Sequence, residues 1–343
     1  MKDKLNIAVI GCSVMGKLHM QGVINHEKAN LYAICDKYED NLKAAMEEKN
    51  VKIGVTDWHE LVNDENIDAV VIVTPDRLHP EMTETFLRAG KDVLCEKPMA
   101  LNLELCEEMM RVEKETGRRL MIGQVCRCTP GFIAAKELVD SGKIGELFFV
   151  ESEYAHNYDH AKGVDNWRMT PDRNGFIGGG CHAVDLLRWI AGNPTEVTAY
   201  SNHKCNLDWP TDDCTVAIYK FPNNVIGKVF SSIGCRRRYT MRSVFYGTRG
   251  TVICDNTSPS ITLFSRDVAL SDGSYDFTKP IDVPVEVNNH NVNAEIDVFI
   301  NALINGEDMP VTSMEGASTI AVACATVESA TVGKTVNIKY PTV

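Results

Sequence analysis

The feature that most restricts this chain is the alternation over residues 5–123 of short, continuously apolar runs with longer stretches of helical spacing. The apolar runs are Leu5–Ile10, Leu31–Cys35, Ala69–Thr74, Asp92–Cys95 and Leu120–Gly123. Between them, Met15–His26, Tyr38–Lys49, Pro80–Ala89 and Leu103–Thr116 carry apolar residues at helical intervals, with a shorter helical piece at Trp58–Val62. A strand that is apolar on both faces has to be covered on both faces. In an alternating βαβ pattern this means a parallel sheet wrapped by helices, so the spacing predicts a doubly wound Rossmann-type α/β layer.

Near residue 145 the rhythm changes. "GELFFVESEY" begins a strand, "CHAVDLLRWIAG" is a strong helix, and strand candidates follow at Glu196–Asn202, Thr215–Phe221, Val225–Ser232, Met241–Gly247, Gly250–Cys254 and Ile261–Phe264. Pro222-Asn223-Asn224 has the composition of a hairpin turn. Consecutive strands with short turns predict a C-terminal α+β domain with a large, mostly antiparallel open sheet. Two helices, near Asn293–Ile304 and Thr312–Ala330, close the chain. The domains are therefore expected at 1–123 and 124–343, the C-terminal helix packing back on the first. No repeat or low-complexity linker separates them, which makes a cleft between them the expected ligand position. A free sheet face is a common oligomer surface, so a homodimer or homotetramer through the C-terminal sheet is expected.

A formal net charge of −12 over 343 residues disfavours nucleic acid and anionic membrane surfaces as partners. No apolar stretch approaches the roughly 20 residues that cross a bilayer, and "MKDKLNIAVI" leads into a strand without a signal-like core. The 12 cysteines are scattered, mostly in apolar runs, and the closest pair is Cys126-Arg-Cys128. They read as reduced thiols of a cytoplasmic protein, with no paired Cys/His spacing for a metal.

Chemistry begins at "GCSVMG". Gly11 ends the first strand and Gly16 lies in the following helix turn, the places where a dinucleotide turn needs tightness and close packing. Ser13 stands where the middle glycine usually is; it is small enough to admit a pyrophosphate, and its hydroxyl is able to donate to one. Val14 and Met15 complete the turn. Asp36 ends the second strand 20 residues after Gly16, placed to accept hydrogen bonds from ribose hydroxyls, which favours NAD over NADP. As the bland alternative, Asp36 caps the helix that follows. "DVLCEKPMA" puts Glu96, Lys97 and Pro98 at the carboxyl end of another strand, where open α/β sheets hold ligands. His182 follows three glycines, which allow a ligand close approach, and an imidazole there suits proton transfer near neutral pH.

"GCSVMG", "CD" at 35–36, "VTPDRLH" at 73–79, "CEKP" at 95–98 and "GGGCHAVDLLRWIAG" at 178–192 together resemble the Gfo/Idh/MocA oxidoreductases, named for glucose-fructose oxidoreductase and inositol dehydrogenase. The resemblance spans nearly the whole chain. It implies a hydride passed between a nicotinamide cofactor and a sugar or cyclitol carbon. By position it assigns Gly11, Ser13 and Gly16 to the pyrophosphate and Asp36 to the ribose. Thr74, Pro75 and His79 fall near the nicotinamide, Glu96 lines the cofactor and Lys97 is the catalytic lysine, its bond to Pro98 often cis. Relatives often carry an aspartate four residues before the histidine; here that position is Gly178. Asp185, one turn beyond His182, is the residue available to orient the imidazole.

The polar stretch from Tyr154 to Gly175 offers Tyr154, His156, Asn157, Trp167 and Arg168 as sugar contacts, with His160, Asp165 and Asp172 nearby, and Arg127 is a further candidate. Metal ligation by His156 and His160 needs a helical loop, and no metal is expected. The substrate expected is a small sugar, glycoside or cyclitol. An alternative with the same parts is a redox-assisted glycosidase or lyase working through a keto-sugar, and a third, non-enzymatic reading is a nucleotide-sensing module.

Overall fold

The computed structural model describes residues 4–343, which divide into two compact units. The first comprises the chain to Val125, a return segment Asn291–Ala317 and the last three residues. Its strands β1 (Leu5–Ile10), β2 (Ala29–Cys35), β3 (Ile53–Val55), β4 (Ala69–Ile72), β5 (Asp92–Glu96) and β6 (Leu120–Gly123) form one parallel sheet in the order β3-β2-β1-β4-β5-β6. Helices α1 (Val14–Asn25), α2 (Glu39–Lys49), α3 (His59–Val62), α4 (His79–Arg88) and α5 (Leu103–Thr116) make the crossovers. The sheet interior is dry: every side chain of β4 is fully buried. Asn102 caps α5 by accepting from the Leu105 N–H at 2.9 Å, and Gly117 ends it at φ 62°.

The return segment belongs to this unit for physical reasons. Its helix Val292–Asn305 lays Ile296 against Gly22 of α1, where a Cβ would stand 3.0 Å from Ile296. The Arg119 guanidinium donates to the last carbonyls of that helix, Ala302 at 2.8 Å and Leu303 at 3.0 Å, satisfying a C-terminus with a cation. The Ile122 N–H donates to Val311, extending the sheet edge beyond β6.

The second unit, Cys126–His290 with Ser318–Tyr340, holds a nine-stranded sheet. It contains α6 (Pro130–Asp140), β7 (Leu147–Ala155), α7 (Cys181–Ala191), β8 (Glu196–Asn202), β9 (Cys214–Lys220), β10 (Ile226–Ser232), β11 (Thr240–Gly247), β12 (Gly250–Asp255), β13 (Ser260–Ser265), β14 (Ile281–Pro284) and β15 (Val336–Asn337). The order is β14-β13-β12-β11-β7-β10-β9-β8-β15; β7 and β10 are parallel and every other pair is antiparallel. The hairpin turn lies between β9 and β10, with Asn224 left-handed at φ 60°.

Strand β9 alternates strictly. Thr215, Ala217 and Tyr219 of β9 are buried, while Val216 and Ile218 face outward. Helices α6 and α7 cover one face and leave the other open. Four elements, β3, α6, β14 and β15, escape the sequence spacing. The helix α6 begins at a Pro-Gly pair that looks like a turn, although proline suits a first helical turn. The short β14 has too few residues to show a period. The final helix, Ser313–Val332, is not the last element, because β15 follows it and pairs with β8.

Candidate active site

Sheet order 3-2-1-4-5-6 reverses direction between β1 and β4, and ligands of such sheets bind beyond the carboxyl ends at that switch. Gly11, Asp36, Thr74, Glu96 and Lys97 all lie there, because each ends one of these strands or follows it within two residues. Gly11 has φ 104°, and a Cβ on it would stand 2.4 Å from the Val73 carbonyl oxygen. A Cβ on Gly16 would stand 1.8 Å from the Gly11 carbonyl oxygen. Neither position admits another residue, and the two hold α1 tightly against the turn. Ser13 takes the N-cap place of α1 without using its hydroxyl to cap, and it and Val14, 77% exposed, face solvent. Met15 is half-buried beside them. This cradle, with small residues and helix-start N–H groups, fits a pyrophosphate.

Asp36 is buried. One oxygen accepts from the Cys12 N–H at 2.8 Å and the other from the Tyr38 N–H at 2.9 Å. The acid thus ties the glycine turn to the start of α2 and holds its charge at the end of β2. His79 is fully buried behind the β4 loop, between the Pro98 carbonyl at 2.8 Å from Nδ1 and the Thr74 carbonyl at 3.0 Å from Nε2. Two carbonyl acceptors call for two N–H donors, hence an imidazolium. Burial opposes that charge, but Cys95, Asp76 and the Pro98 carbonyl outweigh it and lift the pKa to about 10. His79 pins the loops that carry Thr74, Pro75 and Pro98, with both ring nitrogens occupied by backbone.

Lys97, half-buried, precedes a cis bond to Pro98. Glu96 is buried beside it: Oε1 takes a hydrogen bond from His19 Nε2 at 3.0 Å and Oε2 takes one from the Lys97 N–H at 3.0 Å. Burial raises Glu96, yet the His19 hydrogen bond and the His19, Lys97 and His79 charges outweigh it and keep the carboxyl below its usual range. A third group, Glu295 from the return helix, closes this cluster. One of its oxygens lies within 4.8 Å of a donor atom of His19 and of Glu96, and both oxygens are fully buried with no hydrogen-bond partner. Burial, then the Glu96 charge, push Glu295 well above the usual range, so it is a neutral acid. Among the described residues, these three are the one set of His and carboxylate donors close enough to hold a cation. Nothing in the spacing of residues 19, 96 and 295 announced them.

In the second unit, β7 and α7 bring Tyr154 and His182 together, rings stacked with centroids 5.8 Å apart. The Tyr154 hydroxyl meets His156 Nδ1 at 3.0 Å and the Tyr158 hydroxyl at 2.9 Å. Three members were missed by sequence. Tyr239 lies 4.6 Å from the His156 ring, and His290 lies 5.8 Å from His182 and stacks on Tyr239 at 5.5 Å. Cys126 Sγ sits 3.2 Å from His182 Nδ1. Burial pushes both Tyr154 and Tyr239 hydroxyls far up, so they remain protonated donors.

Other sequence candidates lie elsewhere in this unit. Arg127 and Asp185 grip each other bidentately, at 2.8 and 2.7 Å, and Thr319 also donates to Asp185 at 3.1 Å. Both are buried, so their bonds are internal, and Asp185 turns to Arg127 instead of to the imidazole. Asn157 Oδ1 accepts from the Asp159 N–H within its own loop at 2.8 Å. Trp167 is a platform for two guanidiniums, Arg168 at 4.4 Å and Arg173 at 4.9 Å. The glycine run makes room for the protein itself. Side chains at Gly178, Gly179 and Gly180 would meet the Arg173 guanidinium at 2.1 Å, the Tyr154 ring at 2.6 Å and Ser231 at 2.9 Å. The expectation that these glycines clear space for a ligand is therefore corrected: the buried Arg173 tip fills the space beside Gly178.

Residues 5–124 match the family model described as oxidoreductase family, NAD-binding Rossmann fold, and residues 132–253 match the GFO/IDH/MocA C-terminal domain. An inositol 2-dehydrogenase of Saccharopolyspora erythraea is 28% identical over 342 residues, covering 98% of this chain and 96% of that protein. Two solved structures share the fold. A levoglucosan dehydrogenase in complex with NADH and L-sorbose superposes with a TM-score of 0.88 at 20% identity, covering 99% of this chain and 100% of that one. A myo-inositol 2-dehydrogenase from Lactobacillus plantarum gives 0.82 at 24%, covering 98% and 100%.

Proposed function

Because this chain belongs to the GFO/IDH/MocA oxidoreductase family, we propose that it interconverts a secondary alcohol of a sugar, glycoside or cyclitol with its ketone, using NAD in preference to NADP. The nicotinamide, when bound, supplies the hydride-accepting carbon. Gly11, Ser13, Val14, Met15 and Gly16 hold the pyrophosphate, and Asp36 the ribose. A carboxylate fixed by two N–H donors at the end of β2 repels a 2′-phosphate. Thr74, Pro75 and Glu96 border the nicotinamide, and His79 holds their loops. Lys97 binds the reacting oxygen and stabilises charge on it. His182 exchanges the hydroxyl proton. Tyr154, His156 and Trp167 supply the mixed aromatic and polar surface that sugars need, with Tyr239 and His290. Arg127 and Asp185 support this wall through their mutual pair, and Asn157 and Arg168 shape its loop.

The observation that carries this reading is Lys97 at the carboxyl end of β5, on the same sheet edge as the glycine turn and Asp36. The relative's name supports a cyclitol, and the levoglucosan dehydrogenase an anhydrosugar. Purified protein is expected to reduce NAD with a member of a polyol and glycoside panel. Lys97→Ala should lower kcat at least ~10³-fold with NADH binding retained, about 4 kcal/mol of lost stabilisation; an active variant refutes the role. Aglycone release without net NADH would instead mark the redox-assisted glycosidase.

The open face of the nine-stranded sheet, bearing exposed Tyr200, Val216, Ile218 and Ile226, is the proposed surface for a homodimer or homotetramer. No helix is long and apolar enough to cross a membrane among the described residues, and the proposed location is the cytoplasm.

A further inference from the structure

We propose that Cys126 is the positioning partner of His182, a thiol that sets the tautomer of the imidazole where a carboxylate would fix the opposite one. Several groups near the ring are engaged elsewhere. Asp185, one helical turn along, is taken by Arg127 and Thr319. Position 178 has no side chain, and the Arg173 guanidinium stands in its space. Tyr154 stacks on the ring face and directs its hydroxyl to His156 and Tyr158. His290, 5.8 Å away, faces the Tyr239 hydroxyl through Nε2 at 3.3 Å. At Nδ1 itself stands the Cys126 sulfur, at 3.2 Å, in a fully buried setting.

A thiol has one proton and weak lone pairs. The Cys126 sulfur lies 3.2 Å from His182 Nδ1 and 3.6 Å from the Met241 thioether. An imidazole nitrogen is much the better acceptor of the two. The S–H therefore points to Nδ1, and the ring's own proton resides on Nε2. A ring in that state offers an Nε2–H hydrogen bond to a substrate oxygen and has no lone pair there to take a hydroxyl proton. Turning the S–H to Met241 frees the sulfur to accept from Nδ1–H and exposes a lone pair at Nε2; this is the ring that takes the hydroxyl proton in alcohol oxidation and, as the imidazolium so formed, returns it in ketone reduction. An aspartate, able only to accept, holds the ring in the second state alone and stabilises its charged form.

The proposal rests on the assignment of His182 as the proton-exchanging group, and its test separates the two. Selective ¹⁵N-histidine NMR of the full chain without cofactor should show His182 protonated on Nε2, and Cys126→Ser, whose hydroxyl also donates, should keep that tautomer. Cys126→Asp should move the proton to Nδ1 and raise the His182 titration midpoint by about one unit or more. In the same variant, alcohol oxidation and ketone reduction should keep the ratio of kcat/KM that the reaction equilibrium fixes, while the pH midpoint of turnover in both directions rises with the NMR midpoint, with NADH binding unaltered as the check on folding. A resting proton on Nδ1, or an aspartate variant with unchanged tautomer and midpoint, overturns the proposal. If His182→Asn keeps full turnover while the NMR results hold, the base assignment fails and the thiol–imidazole pair stands.

Discussion

Replacing Glu295 by glutamine tests the electrostatics of the first unit directly. Glu295 is fully buried, without a hydrogen-bond partner, and one of its oxygens lies within 4.8 Å of a donor atom of Glu96 and of His19. Two ionised carboxylates at that separation repel by about 3.5 kcal/mol at an effective dielectric of 20, before any desolvation cost. The native state therefore keeps Glu295 protonated, whereas the unfolded chain releases the proton above the carboxyl's ordinary value of 4.5. With the folded pKa raised, the stabilising contribution is complete below that value and is lost as pH rises. The loss is about 1.4 kcal/mol per pH unit while the native acid remains neutral. Glutamine keeps the shape and is neutral at every pH, so Glu295→Gln should gain on the parent as pH rises above 4.5, by up to about 1.4 kcal/mol per unit. Urea unfolding of both proteins at matched ionic strength measures this gap. A gap that does not change with pH would show that Glu295 is charged in the fold, and the reasoning would fail.

Gly16→Ala puts a methyl 1.8 Å from the Gly11 carbonyl oxygen, so the turn must open. NADH affinity measured by fluorescence titration should drop at least tenfold, with a stability loss of about 1–3 kcal/mol; normal binding would contradict the close-packing argument. Arg127→Met leaves the buried Asp185 charge to the Thr319 hydroxyl and the more distant Arg188 guanidinium at 3.9 Å, and should cost about 2–3 kcal/mol in denaturant unfolding. A loss under about 1 kcal/mol would mean that water reaches the pair.

The parallel sheet was legible because burial on both faces leaves continuous apolar runs, and Gly11, Gly16 and Asp36 because a turn of this kind has fixed spacing. The Cys126, Tyr239 and His290 surroundings of His182 come from three segments far apart in sequence, so no local period relates them. Arg127 looked like a ligand contact and Asp185 like the group that orients His182, because each carries suitable chemistry; only the fold shows that they satisfy each other. The glycines at 178–180 were legible as a close approach, but sequence does not say whether a ligand or the protein's own Arg173, Tyr154 and Ser231 makes it.

The return segment has a consequence for how this protein is made. A ribosome that has just completed β6 has synthesised all six parallel strands, but not the helix that covers α1 through Ile296 and receives Arg119. That helix starts at Val292, which at 5–20 residues per second arrives roughly ten to thirty seconds later. For that interval the nascent layer exposes an apolar groove that the finished protein never shows, and a truncated chain ending at Val125 would expose it permanently.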